Sequence, residues 1–127
     1  MIPKYVLDTG ALISAERGKQ RIGRFFQLAH IGRARLIVPL PVVAEWWRGR
    51  SDAREEILAA TEVVASIASA KAAGIALARL REVDSRRTID AMVIATAALL
   101  DAAIITDDRD DFEELIAQFP GVRVLST

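Results

Sequence analysis

Four carboxylates lie in or beside apolar stretches of the sequence, where burying an unpaired charge is costly. Asp8 and Asp108 each follow an apolar run, whereas Glu45 and Asp90 lie inside one. Oxygen ligands without cysteine or histidine suit a hard cation such as Mg²⁺ or Mn²⁺. Such an ion polarises a phosphodiester and lowers the pKa of a bound water. The four acids therefore predict metal-dependent phosphoryl chemistry.

Each acid alone also has a simpler structural explanation. A helix N-terminus would stabilise any of the aspartates, as an N-cap or through the helix dipole. Glu45 could instead form an ion pair with Arg48 or Arg50. Together, however, the four acids are not matched by equally spaced lysines. This joint pattern favours a shared site over four separate accidents.

The elements that position these acids alternate between strand and helix. Strands are predicted at 4–7, 36–38, 61–67, 102–106 and 122–125, and helices at 11–15, 20–31, from 42 to about 47, 52–60, 69–81, 89–100 and 112–119. Residues 84–87 are predicted to be a charged loop before an N-cap at Thr88. Alternation of this kind predicts right-handed crossovers and a mostly parallel sheet of about four or five strands, covered on both faces. Asp8 and the Asp107/Asp108 pair then leave strands at the carboxyl edge, where such sheets bind ligands.

Composition limits the class of protein. The 127 residues fit a single domain spanning 1–127, and 52% hydrophobic with 27% charged residues is typical of a globular protein. Because cysteine and long apolar runs are absent, we expect a cytoplasmic protein with no membrane segment. The net charge is zero, but basic residues dominate 17–50 and acidic residues dominate 101–114. One region should attract phosphate and the other cations.

The ordered motifs resemble the PIN-domain family, specifically the small endoribonuclease toxins of VapBC-type toxin–antitoxin modules. The matching segments are VLDTGALI at 6–13, VVAE at 42–45, TIDAMVIA at 88–95 and ITDDRDDF at 105–112. The resemblance implies a three-layer α/β/α fold and Mg²⁺- or Mn²⁺-dependent RNA cleavage. It also implies frequent homodimerisation and a cognate antitoxin as partner.

Carried over residue by residue, the resemblance implies an acidic quartet that binds the metal and is catalytic. The quartet consists of Asp8, Glu45, Asp90 and Asp108, with Thr9, Thr106 and Asp111 as auxiliary residues and Arg86 and Arg87 as candidate RNA contacts. The fourth acid depends on alignment to the pattern T-x-D/N-x-x-D/E-F. A shift by one residue would replace Asp108 with Asp107 as the fourth acid. Without that shift, Asp107 and Asp110 are predicted to face solvent or to cap the following helix.

Two other functions compete with this prediction. Asp8-Thr9-Gly10, followed by Ala11, is also the active-site signature of retroviral-type aspartic proteases. Those enzymes are all-β, whereas alanine-rich helical stretches dominate this chain from Ala11 to Leu100. The other alternative is a non-catalytic PIN-like module that binds RNA or protein. It would show no metal-dependent RNA cleavage.

Overall fold

Five short strands alternate with seven α-helices, and the computed structural model describes residues 1–127. The strands are β1 (Lys4–Leu7), β2 (Arg35–Pro39), β3 (Glu62–Val64), β4 (Ala103–Thr106) and β5 (Val124–Ser126). The helices are α1 (Thr9–Glu16), α2 (Gln20–His30), α3 (Leu40–Trp46), α4 (Asp52–Ala59), α5 (Ile67–Leu77), α6 (Ser85–Leu100) and α7 (Glu113–Ile116), with a 3₁₀ turn over Arg109–Phe112.

The strands form one parallel sheet in the order β3-β2-β1-β4-β5. β1 is central, and its Val6 is in register with Ile37 of β2 and with Ile104 of β4. The chain extends the sheet to one side of β1 through β2 and β3, and then to the other side through β4 and β5. Strand order therefore reverses beside β1. The carboxyl ends of β1 and β4 flank the crevice in which such sheets bind ligands.

The predicted three-layer α/β/α class is confirmed, and α6 is its central helix. Ala91, Val93, Ile94, Ala95 and Ala97 of α6 are buried. Three of these five are alanines, whose small side chains let the helix approach β1, β2 and β4 closely while it also packs on α5. Even α6, the longest helix at 16 residues, is not long and apolar enough to cross a membrane, and neither is any other helix.

The predicted N-cap of α6 at Thr88 is wrong, and so is the charged loop predicted before it. The helix begins at Ser85, because Asp84 is the N-cap and accepts a hydrogen bond from the Arg87 amide at 2.9 Å. The Thr88 hydroxyl instead donates to the Asp84 carbonyl oxygen at 2.9 Å. Arg86 and Arg87 are thus held in the first helical turn, where their positions are better fixed than in a loop.

The strand predicted at 61–67 is shorter, because Ser66 ends it. The Ser66 hydroxyl accepts from the Ser69 amide at 3.2 Å and starts α5 at Ile67. After β4, the helix predicted at 112–119 is replaced by the 3₁₀ turn and the four residues of α7. Closely spaced aspartates favour such short capped turns over a long helix, because their side chains compete for backbone amides.

Candidate active site

Five acids from four parts of the chain line one cleft of about 240 Å³ at the carboxyl edge of β1 and β4. They are Asp8, Glu45, Asp90, Asp107 and Asp111. The cleft lies at the reversal of strand order, as the topology predicts. Three members of the predicted quartet are thus brought together, and the fourth, Asp108, is not among the lining residues.

Asp8 is fixed by two hydrogen bonds at the end of β1. Its carboxylate accepts from the Ala11 amide at 2.8 Å, which caps α1, and from the Thr106 hydroxyl at 2.5 Å. Only 5% of the residue is exposed. Burial raises the pKa of Asp8 from 3.8 to about 6, with smaller upward contributions from Asp107 and Asp111 and opposing effects of the two hydrogen bonds. Asp8 therefore caps α1 and also lines the cleft.

Asp90 projects from α6 and is the most perturbed acid of the cleft. Partial burial raises its pKa from 3.8 to about 7, and the negative charges of Asp111, Asp8 and Glu45 add to the rise. Arg86 opposes that shift. Carboxylates crowded in this way hold protons to near-neutral pH unless a cation joins them. The electrostatics of the cleft therefore favour a positive ligand.

Glu45 is positioned by contacts at both its side chain and its helix. Its carboxylate accepts a hydrogen bond from the Thr9 hydroxyl, next to Asp8. The adjacent Trp46 is buried, and its indole N–H donates to Glu16, which also pairs with Arg54 at 3.4 Å. These contacts anchor the end of α3 against α1. The proposed ion pair of Glu45 with Arg48 or Arg50 does not form, because Arg48 donates to backbone carbonyls and Arg50 pairs with Asp52.

Asp107 and Asp108 leave β4 in different roles. Asp107 lines the cleft. The Asp108 side chain accepts from the Asp110 amide at 3.1 Å and caps the 3₁₀ turn, outside the cleft. Its own amide donates to the Thr106 hydroxyl at 3.1 Å, the same hydroxyl that bonds Asp8. The sequence alignment assigns the capping role to Asp107 and the cleft to Asp108.

Arg86 is the cationic side chain of the cleft, and it is already paired. Its guanidinium donates to both carboxylate oxygens of Asp111, at 3.0 and 3.1 Å. Arg87 pairs with Glu114 at 3.0 Å and does not line the cleft. Of the two predicted RNA contacts, only Arg86 lines this cleft. About two thirds of its side chain is exposed (68%), which leaves it accessible to a phosphate.

A comparison with protein families identifies the fold. The family model described as the PIN domain matches residues 5–117, nearly the whole chain. The chain belongs to the PIN-domain family. Among curated protein sequences, none matches this chain.

Solved structures with this PIN fold come from several organisms. VapBC2 from Rickettsia felis, bound to a DNA fragment from its promoter, has a TM-score of 0.71 at 14% identity, with 98% of each chain covered. DNA-bound VapBC from Salmonella typhimurium has a TM-score of 0.69 at 21% identity, again with 98% of each chain covered. VapBC-1 from nontypeable Haemophilus influenzae has a TM-score of 0.67 at 15% identity, with 97% of each chain covered. At these identities the likeness concerns the fold alone.

The donor set of this PIN domain fits a hard cation, although its carboxylates are not arranged to share one as they stand. Five carboxylates and one hydroxyl, Thr9, line the cleft, with no sulfur or imidazole ligand. No three acidic or histidine side chains are close enough in the structure to hold a metal ion jointly. Binding an ion would therefore require side-chain movement. Attraction of the carboxylates to a cation would offset their mutual repulsion, which adds to the effect of burial on the pKa of Asp90.

Sequence reasoning missed Gly10 as a residue of this PIN site. Gly10 lines the cleft, and a methyl group built on it would lie 1.8 Å from Oδ1 of Asp107. The available signal was a glycine in the first turn of a helix, where it has low intrinsic propensity. Such a residue needs a packing reason, and the sequence alone did not indicate which side chain supplies it.

Proposed function

We propose that this PIN domain is a metal-dependent endoribonuclease that hydrolyses RNA phosphodiester bonds. One observation supports the proposal above the others. Five acids separated by up to 103 positions in sequence, from Asp8 to Asp111, converge at the reversal of strand order. Helix capping alone explains Asp8 but not the convergence of Glu45, Asp90 and Asp107 on it.

Mg²⁺ or Mn²⁺ is the proposed cofactor. Asp8, Glu45 and Asp90 would hold it together with a fourth acid from the segment after β4. When bound, such an ion would supply Lewis acidity and lower the pKa of a water, so that the water could lose a proton near neutral pH and attack a phosphodiester. The family resemblance implies that this hydrolysis leaves a 5′-phosphate and a 3′-hydroxyl.

The chain's own residues position the reactants. The Thr106 and Thr9 hydroxyls hold the Asp8 and Glu45 carboxylates in place. The Asp90 carboxylate, whose pKa is raised to about 7 chiefly by burial in the metal-free cleft, would be held ionised by a bound cation. Arg86 lies at the cleft wall, where its guanidinium can exchange Asp111 for an RNA phosphate. Thr106 and Thr9 therefore orient the acids, and Arg86 orients the RNA.

We also propose that the nuclease is the toxin of a toxin–antitoxin module, acts in the cytoplasm, forms a homodimer and is neutralised by a partner antitoxin. The support is the fold likeness to the VapBC structures from three organisms. A direct test is co-expression with the protein encoded by the neighbouring reading frame. Growth arrest by this chain alone, relieved by that neighbour, is the expected outcome.

The nuclease proposal is tested with purified protein and a labelled RNA. We expect cleavage with Mg²⁺ or Mn²⁺, none with EDTA, and 5′-phosphate ends by sequencing. Asp90→Asn should abolish the cleavage. Asp101→Asn is the matched control, because Asp101 is exposed at the opposite end of α6 in a left-handed conformation that asparagine also adopts. Equal activity of the Asp90→Asn variant and the wild type would refute the mechanism.

A non-catalytic PIN module is the second candidate, and one observation favours it. No three acids are close enough to hold an ion in the structure. In that case RNA would bind without being cut, and metal would change neither the RNA nor the melting temperature. The protease alternative is excluded by the fold, because aspartic proteases are all-β and this chain forms a parallel α/β sheet.

A further inference from the structure

The exit of β4 presents two adjacent aspartates, and its backbone directs them differently. The strand is entirely buried and ends at Thr106, whose hydroxyl is shared between the Asp8 carboxylate and the Asp108 amide. The Asp108 carboxylate is then bonded to the Asp110 amide, within its own turn. Asp107 alone of the two lines the cleft with the other acids.

Gly10 leaves the space that Asp107 occupies. A methyl group built on Gly10 would lie 1.8 Å from Oδ1 and 2.5 Å from Cγ of Asp107. Real carbon atoms do not approach that closely, so any other residue at position 10 would displace the Asp107 carboxylate. The φ angle of Gly10 is not positive, unlike those of Gly18, Gly32 and Gly49, so backbone strain does not explain glycine here. What distinguishes position 10 is the contact with Asp107.

We propose that Asp107, lying over Gly10, is the fourth metal-binding carboxylate of this chain, and that Gly10 is a positioning residue that admits it. The proposal is based on the metal-dependent nuclease function and specifies its ligand set. It replaces Asp108, which sequence alignment selects and which caps the 3₁₀ turn instead. Thr106 couples the two strand exits, because it orients Asp8 and fixes the backbone that presents Asp107.

Calorimetric titration of the full chain with Mn²⁺ tests the ligand assignment without measuring activity. Asp107→Asn and Asp108→Asn are matched variants, because they change the same group at adjacent positions and asparagine can still cap the turn. We expect Asp107→Asn to weaken Mn²⁺ binding at least about tenfold, since even groups that only orient ligands are worth that much. Asp108→Asn should leave the Kd nearly unchanged.

Gly10→Ala tests the positioning role. It should weaken Mn²⁺ binding as Asp107→Asn does. The double variant with Gly10→Ala and Asp107→Asn should bind Mn²⁺ little more weakly than Asp107→Asn alone. Melting curves with EDTA provide a readout that needs no metal. In an Asp107→Ala background, Gly10→Ala should raise the Tm, because alanine is the better helix former. In the wild type the same change should raise the Tm less, or lower it. The reason is that the new methyl group would force the Asp107 carboxylate out of its position.

The outcomes separate the two proposals. Weaker Mn²⁺ binding in Asp108→Asn than in Asp107→Asn would overturn the ligand assignment while leaving the nuclease function intact. Absence of Mn²⁺ binding by the wild type would overturn the assignment and the metal-dependent function together. An equal Tm change for Gly10→Ala in both backgrounds would show that Gly10 and Asp107 are not coupled, and would refute the positioning role of Gly10.

Discussion

The exits of β1 and β4 lie side by side at the same sheet edge, and each carries an aspartate that caps the next turn. Asp8 caps α1 and also lines the cleft, whereas Asp108 caps the 3₁₀ turn and leaves the cleft to Asp107. Asp8 is 5% exposed, and Asp108 is exposed. Capping and lining the cleft are therefore combined in one aspartate at β1 and divided between two at β4.

Local geometry explains this difference. At β1 the capped element is an eight-residue α-helix. Its cap, Asp8, is buried and accepts a hydrogen bond from the buried Thr106 hydroxyl. At β4 the extra aspartate lets the chain cap a four-residue 3₁₀ turn one position later, at the surface. A sequence motif that aligns caps therefore selects a residue that lines the cleft at β1, and at β4 selects the neighbour of the residue that lines it.

The largest expected effect comes from removing charge at the β1 exit without removing the cap. Asp8→Asn keeps an oxygen that can accept from the Ala11 amide, so the fold should persist. We expect RNA cleavage to fall by at least about 100-fold, since even groups that only orient metal ligands are worth up to that much. Asp108→Asn is the parallel change at β4 and should retain wild-type cleavage. Equal losses in the two variants would erase the distinction between the two exits.

A smaller effect is expected from Thr106, which joins the two exits. Thr106→Val keeps the shape of the side chain but removes the hydroxyl that bonds Asp8 and the Asp108 amide. We expect Mn²⁺ affinity to fall by roughly 10- to 100-fold, as for other groups that orient ligands. Thr96→Val is the control, because the buried Thr96 hydroxyl donates only to the Met92 carbonyl oxygen at 2.6 Å. Unchanged affinity in Thr106→Val would mean that Asp8 does not need this bond.

Much of the architecture follows from the sequence because its physical signals are local. Apolar β-branched runs predict β1, β2 and β4, and helical spacing predicts α2 and α6. The alternation of elements then predicts a parallel sheet and the edge at which Asp8, Glu45 and Asp90 meet. The PIN family and the α/β/α class are accordingly confirmed.

The remaining details depend on competition among neighbouring polar groups. Asp84 caps α6 ahead of the equally plausible Thr88, and Ser66 starts α5 within an apparent strand. At 107–111, four aspartates compete for a few backbone amides, and sequence does not show which one succeeds. The contact of the Asp107 side chain with Gly10 joins positions 97 apart in the sequence, so no local sequence pattern predicts it.

The pH dependence of stability distinguishes the buried acids from the exposed ones. Folding raises the pKa of Asp8 to about 6 and that of Asp90 to about 7, from 3.8. A raised pKa in the folded state stabilises at low pH, and this stability is lost as pH rises through the folded pKa. With EDTA present, wild-type stability should therefore fall between about pH 4 and pH 7. Urea denaturation across this range measures the trend.

Asp90→Asn should remove its share of that trend. At pH 8 we expect the variant to be more stable than the wild type by about 1–2 kcal/mol, because screening by solvent at a half-buried site reduces the effect of the shift. The gain should shrink as pH falls from 7 toward 4. Asp101→Asn, at the exposed end of α6, is the control for the substitution itself. A gain that is constant across pH would assign the effect to packing rather than to ionisation.

The smallest effect is expected at Asp108, where only a surface cap is at stake. Asp108→Ala removes the acceptor of the Asp110 amide and should cost about 0.5–1 kcal/mol of stability, at the low end for N-caps because the turn is short and exposed. Asp108→Asn should restore that stability, and RNA cleavage should be equal in both variants. Urea denaturation and the cleavage assay on the same preparations check the two expectations. If Asp108→Ala instead lost cleavage at unchanged stability, its carboxylate would belong to the site, and the division of roles at the β4 exit would be wrong.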